Sequence, residues 1–169
     1  MGSDNLTKYQ GYFNRYISMV SDQVLLDCLI EQGESFQQFL NGLPLENWPG
    51  PYAEGKWSFK ELLGHMCDTE RIMSYRALCY ARSEKADQAS FDENEYVQNA
   101  RFDALSTEHL IQEFIAVRAA SISLFSSFNA TELQREGNFS DARLSVEGIG
   151  YMMCGHLQHH LNIMKERYL

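Results

Sequence analysis

Apolar residues recur every three or four positions in four long segments of the chain, the spacing that gathers side chains on one face of a helix. Few segments alternate with period two, so the pattern predicts an all-α protein built around four helices. The first predicted helix starts at Asp22 as its N-cap, carries Leu25, Leu29, Phe36 and Phe39, and stops near Asn41-Gly42 and Pro44. The second follows Trp57, where Ser58 with Glu61 three residues on forms a capping-box pattern. It carries Leu62, His65, Thr69, Ile72 and Arg76 near one face and ends near Arg82. The third takes Ser106 or Thr107 as cap and runs through Leu110, Phe114, Val117, Phe125 and Phe128. It ends before Asn129 and a polar stretch through Asp141. The fourth starts near Ser145 and continues toward Arg167. It contains Gly148, Gly150 and Gly155, each costing about 1 kcal/mol relative to alanine, which points to close packing against a neighbour. A short helix is expected over Asp92 to Asn99.

The connections, roughly 17, 24 and 16 residues, exceed the two to eight that join antiparallel neighbours in a simple bundle. The longest, from Ser83 to about Ser106, is expected to cross the bundle and let helices two and three run parallel. At 169 residues the chain suits a single domain spanning 1–169. With 44% hydrophobic and 22% charged residues and three prolines, it has a globular composition.

Charge narrows the partners. Fourteen Lys and Arg against twenty-three Asp and Glu give a net charge of −9, which repels phosphate backbones and anionic lipid headgroups, so neither nucleic acid nor membrane is expected. The longest apolar runs, Val24 to Leu26 and Ile149 to Cys154, fall far short of the roughly 20 residues that cross a bilayer. No basic segment followed by an apolar one opens the chain, and a cytoplasmic location is expected. Cys28, Cys67, Cys79 and Cys154 show no CxxC pairing and read as reduced thiols.

Three of the five histidines fall on the inward stripes. His156 and His160, four residues apart, lie about 40° apart around the helix axis and about 6 Å along it, so both rings can converge on one ion. Their stripe reads Ile149, Met153, His156, His160, Ile163. His65 on the stripe of helix two can complete a three-nitrogen set, whereas Cys67 and Cys154 lie about 200° from His65 and His156 and should not reach it. A single core histidine is more often a packed residue than a ligand, and the case rests on three. Three protein ligands without a thiolate leave a coordination position for water or substrate, as catalytic zinc sites do. The pair is not the H-E-x-x-H of metalloproteases, because Leu157 and Gln158 follow His156.

With Gly55-Lys56-Trp57-Ser58 entering helix two, Gly64-His65-Met66-Cys67-Asp68-Thr69-Glu70-Arg71 within it and Gly155-His156-Leu157-Gln158-His159-His160 in helix four, the chain resembles the DinB-like (DinB/YfiT) family of metalloenzymes from about Tyr12 to Leu169. The resemblance implies a four-helix bundle of up-down-down-up topology, in agreement with the long second connection. It implies one divalent metal ion held by His65, His156 and His160, with zinc or nickel expected, and it makes a homodimer reasonable. It also implies a metal-dependent thiol S-transferase or hydrolase acting on a small molecule, with a low-molecular-weight thiol as a candidate cosubstrate. The alternative is a metal-binding or stress-related protein without turnover, in which the ion braces helices two and four.

Other residues carry weaker expectations. His159 is a candidate proton donor or acceptor at the cavity edge, or else a packing residue. Asp68, one turn beyond His65, is read either as orienting that ring or as a surface carboxylate. Arg118 interrupts the stripe Ile111, Ile115, Ile122, Phe125 and, if buried, requires a carboxylate, for which Glu70 or Asp68 is expected, with structural bracing favoured over substrate binding. His109 is expected to face solvent. Tyr52, Trp57 and Tyr151 are read as pocket walls or as ordinary core.

Overall fold

The computed structural model describes residues 13–20, 22–44, 46, 48–83, 88–139 and 142–169; the amino terminus and Asp141, both read above, lie outside the described residues. Four long helices form the body: α2 (Leu25–Asn41), α3 (Phe59–Ala81), α5 (Thr107–Ser126) and α7 (Val146–Ile163). Among the described residues, the short helix α1 (Asn14–Ile17) precedes α2, α4 (Glu93–Ala100), a 3-10 turn (Phe102–Ala104) and α6 (Ala130–Leu133) sit in the connections, and a π-helical turn, Met164–Tyr168, extends α7.

Caps explain most of the boundaries. Ser58 and Glu61 form a reciprocal capping box at the start of α3, and Asp92, Ser106 and Ser145 accept backbone N–H groups at the starts of α4, α5 and α7. Asp22 does not cap the first long helix. A turn bonded from Val20 O to Gln23 N consumes the next residues, and α2 starts at Leu25 behind an extended Val24 with no side-chain cap. The third long helix stops at Ser126, where 3-10-type bonds from Ser127 and Phe128 tighten its last turn; Phe128 remains buried against Phe125 beyond the helix.

The expectation of an all-helical chain needs one correction. Within the polar stretch after Asn129, β1 (Glu136–Phe139) and β2 (Ala142–Ser145) pair antiparallel, with Glu136 opposite Ser145 and Gly137 opposite Leu144. Each strand has four residues, too few to show a period-two pattern, and the core receives Leu144 while Arg143 faces out to Glu136 at 2.8 Å. Tyr80 Oη donates to the Asn138 carbonyl and ties the hairpin to the end of α3.

Helix α3 packs on α5 and α7, and α2 packs on the same two. Along α3 and α5 the contacting numbers rise together: Lys60 meets Leu105, Arg71 meets Glu113 and Ser74 meets Ser121. Along α3 and α7 they run in opposite senses, with Trp57 meeting Tyr168 and His65 meeting His156. The close packing foreshadowed by the glycines of α7 is clearest at Gly155, where any Cβ would collide with the Tyr16 carbonyl, so α1 lies directly on α7.

Buried apolar residues fall into two separate clusters. One gathers around Tyr16, Leu29, Tyr80, Phe125, Leu144 and Ile149 near the hairpin; the other gathers around Phe36, Phe59, Leu63, Leu110, Phe114 and Met164. Buried polar side chains include Thr69, Glu70, Arg118, His65, His156 and His160, and a small pocket lined by Thr69, Glu70 and His156 touches Met153 of the first cluster and Met66, Phe114 and Leu157 of the second.

Candidate metal centre

The cap at Ser58 sets the phase of α3. Ser58 N donates to Glu61 Oε2 at 2.7 Å, Glu61 N donates to Ser58 Oγ at 3.0 Å, and the Ser58 hydroxyl donates to Asp103 Oδ1 at 2.6 Å. About two turns later, His65 points toward α7. On α7, Ser145 Oγ accepts from Gly148 N at 2.9 Å, and about three turns on, His156 and His160 point back toward α3.

The three rings meet. His65 Nε2 lies 3.1 Å from His156 Nε2, and His160 Nε2 lies 3.0 Å from the same atom. All three donor atoms fall within 4.8 Å of one another. A tetrahedral zinc with bonds of about 2.0–2.1 Å to nitrogen places its ligands about 3.3 Å apart, so the group stands within a few tenths of an ångström of a coordination shell along two of its edges. The residues His65, His156 and His160 are 7%, 8% and 7% exposed.

Burial keeps all three neutral. It lowers the pKa of His65 to about 4. His156 and His160 are held far below the ordinary range, first by burial and then by repulsion from neighbouring rings. At pH 7 each ring therefore offers an unprotonated nitrogen, the form that binds a metal. Nδ1 of His160 is also buried and has no partner.

The surroundings of the group are aromatic. Trp57 lies 4.6 Å from the His65 ring, and the Tyr168 hydroxyl donates to the Trp57 carbonyl at 2.5 Å. Tyr16 stands edge-on to His156 and to His159, 5.5 Å from each. The pattern missed Tyr16, because its helix spans four residues, too short for any repeat to register.

His159 is not one of the three converging rings. It is half-buried with its ring 5.0 Å from His160, and burial and then Arg15 lower its pKa. Neither Cys67 nor Cys154 joins the group; Cys67 is buried in the core around Phe59, where burial pushes its thiol far up. Asp68 faces Arg71 at 3.6 Å rather than the His65 ring, and burial raises its pKa. Of the two carboxylates considered for Arg118, Glu70 is the one it meets, with Nη2 donating to Oε2 at 2.7 Å. His109 is exposed, with Nε2 3.7 Å from Glu113. Tyr52 is exposed and packs on Tyr168, while the Tyr151 hydroxyl donates to the Gln23 carbonyl in the other core, so of the three aromatics only Trp57 touches the group.

Comparison with known proteins gives the same frame. No curated protein matches the chain. Among solved structures, YfiT from Bacillus subtilis, described as a probable metal-dependent hydrolase with an unusual four-helix bundle topology, superposes with a TM-score of 0.74. The identity is 14%, over 84% of this chain and 82% of that one. A mycothiol-dependent maleylpyruvate isomerase superposes with a TM-score of 0.68 at 12% identity, over 81% of this chain and 58% of that one. Both show a shared fold. The sequence profile of the DinB superfamily matches residues 29–164, which includes all three converging histidines, and the chain belongs to that superfamily.

Proposed function

We propose that the protein is a metal-dependent enzyme of small-molecule chemistry, a thiol S-transferase or hydrolase, whose ion is held by His65, His156 and His160. The observation that carries this reading is the approach of three neutral Nε2 atoms, two pairs of them 3.0 and 3.1 Å apart, from two different helices. A divalent ion held by these three residues, zinc or nickel by the preference of imidazole, would supply Lewis-acid chemistry to a water or thiol substrate near pH 7. The chain's own residues supply the lone pairs, the apolar walls of Trp57 and Tyr16, and His159 as a half-buried base or acid next to His160. A low-molecular-weight thiol as cosubstrate belongs to the same proposal, as do a single domain and a homodimer. The contact numbering supports an up-down-down-up order: α3 pairs with α5 in rising register and with α7 in falling register.

Titration of metal-stripped protein with zinc is expected to show about one site per chain, and His160→Ala is expected to lose it. Full occupancy in that variant sinks the ligand assignment. Turnover is tested with the metal-loaded protein, a low-molecular-weight thiol and a chlorinated dinitrobenzene; equal rates for wild type and His65→Ala would exclude metal-assisted thiol transfer. One observation favours a second reading, a non-catalytic ion bracing α3 to α7: none of the three residues is more than 8% exposed. In a cobalt-substituted sample, a d–d spectrum that no added thiol or azide perturbs selects the brace.

A further inference from the structure

A chain of polar contacts links α2, α5 and α3 inside the bundle and ends at a small pocket that a residue of α7 also lines. It begins at Gly33 on α2, where a Cβ would stand 2.8 Å from Arg118 Cγ, so the missing side chain admits the arginine stem. Arg118 on α5 is 2% exposed; its Nη1 donates to the Leu29 carbonyl at 3.4 Å and its Nη2 to Glu70 Oε2 at 2.7 Å. Glu70 on α3 is 6% exposed, and its other oxygen, Oε1, is fully buried without a partner. Thr69 Oγ1, the next residue's hydroxyl, is likewise buried without one. Thr69 and Glu70 line a small pocket together with His156 of α7, and the remaining wall is apolar.

A buried carboxylate braced on one oxygen and bare on the other is an expensive arrangement unless the bare oxygen serves something. What lies across the pocket is an imidazole whose Nε2 is already turned toward His65 and His160. The ring's other nitrogen is Nδ1, and a neutral ring that presents a lone pair at Nε2 must carry its proton at Nδ1. Ligating histidines have that second N–H held by a carboxylate, a carbonyl or a water, which fixes both tautomer and tilt. The pocket has room for about one water. Glu70 Oε1, Thr69 Oγ1 and His156 supply the two to four polar partners that a buried water requires.

We propose that Glu70 is a positioning residue for His156: a water in this pocket accepts the Nδ1–H of His156, donates to Glu70 Oε1 and pairs with the Thr69 hydroxyl. The relay holds His156 in the tautomer whose Nε2 lone pair faces the other two rings. Arg118 fixes the carboxylate, and Gly33 makes room for Arg118. The purpose of the relay rests on the metal reading, but its geometry does not, and the two are tested separately.

Thr69→Val removes the hydroxyl at nearly constant volume, and Thr69→Ser returns it. In metal-free protein with nitrogen-15 histidine, long-range proton–nitrogen correlations are expected to show His156 as the Nδ1–H tautomer with a slowly exchanging proton. Thr69→Val is expected to speed that exchange at least tenfold, Glu70→Gln to do the same, and Thr69→Ser to restore the slow rate. An Nε2–H tautomer in the wild type, or unchanged exchange in both Thr69→Val and Glu70→Gln, overturns the relay. Zinc titration against a chromophoric chelator then reads its purpose. Both variants are expected to bind about 10- to 100-fold more weakly, while Thr69→Val melts near the wild-type temperature, so a merely structural role cannot account for the loss. If the wild type takes up no zinc, the metal reading fails while the tautomer measurement still decides the relay.

Discussion

Two groups of buried polar side chains share the middle of this bundle and meet the cost of burial in different ways. Arg118 and Glu70 answer each other's charge across 2.7 Å. The three histidines carry no charge, for burial keeps them neutral, and around the group's centre their ring nitrogens meet only one another. The ion pair balances its own charge even though Glu70 Oε1 and Arg118 Nε stay without partners, whereas the histidine group presents lone pairs to a common centre that a cation would fill. A buried pair reports on bracing; a buried set of like donors reports on binding.

The sharpest way to break the comparison is to remove one member of the charge-balanced pair. Arg118→Ala leaves a buried carboxylate unanswered and should cost about 3 to 5 kcal/mol, read by urea denaturation of metal-free protein. Acid attacks the other group. The folded pKa of His65 lies at about 4, below the ordinary 6.5, so the unfolded chain binds more protons in this window and stability falls as pH drops from about 6.5 toward 4. For His65 alone the loss is roughly 2 kcal/mol, and denaturation curves at pH 7 and pH 4.5 should show a flatter dependence in His65→Leu. Zinc sharpens the contrast from the opposite side. At 100 times its dissociation constant it should add about 2.7 kcal/mol to the wild type and nothing to Arg118-intact His156→Leu. The smallest effect is that of His156→Leu in metal-free protein, a loss of about 1 kcal/mol, because the groups that meet its two ring nitrogens each lose a partner. A large loss there would show that the histidines, like the ion pair, support the fold by themselves.

How far the sequence could be read follows from the range over which each signal acts. The four long helices were legible because each carries several turns of apolar repeat and, in three cases, a serine cap whose hydrogen bonds the structure displays. The hairpin was not, because four-residue strands display no period, and Asp22 misled because a cap-forming residue also suits the turn that precedes α2. At the site, His156 and His160 were placed together by their i,i+4 spacing, and the approach of His65 followed from its stripe together with the family resemblance. Tyr16 and Gly33 carry no local signal at all. Their roles are tertiary, one an aromatic edge on His156, the other a gap that Arg118 enters, and only the packed structure brings such partners together.

The hydrogen-bonded start of α3 limits what lengths this chain tolerates. Ser58 is fixed by Glu61 and Asp103, and His65 follows after nearly two whole turns. One residue inserted between them would swing the imidazole about 100° around the axis, away from α7, while every atom of it remained in the protein. The interval from Ser58 to His65 is thus a ruler, whose count sets the direction in which the imidazole points.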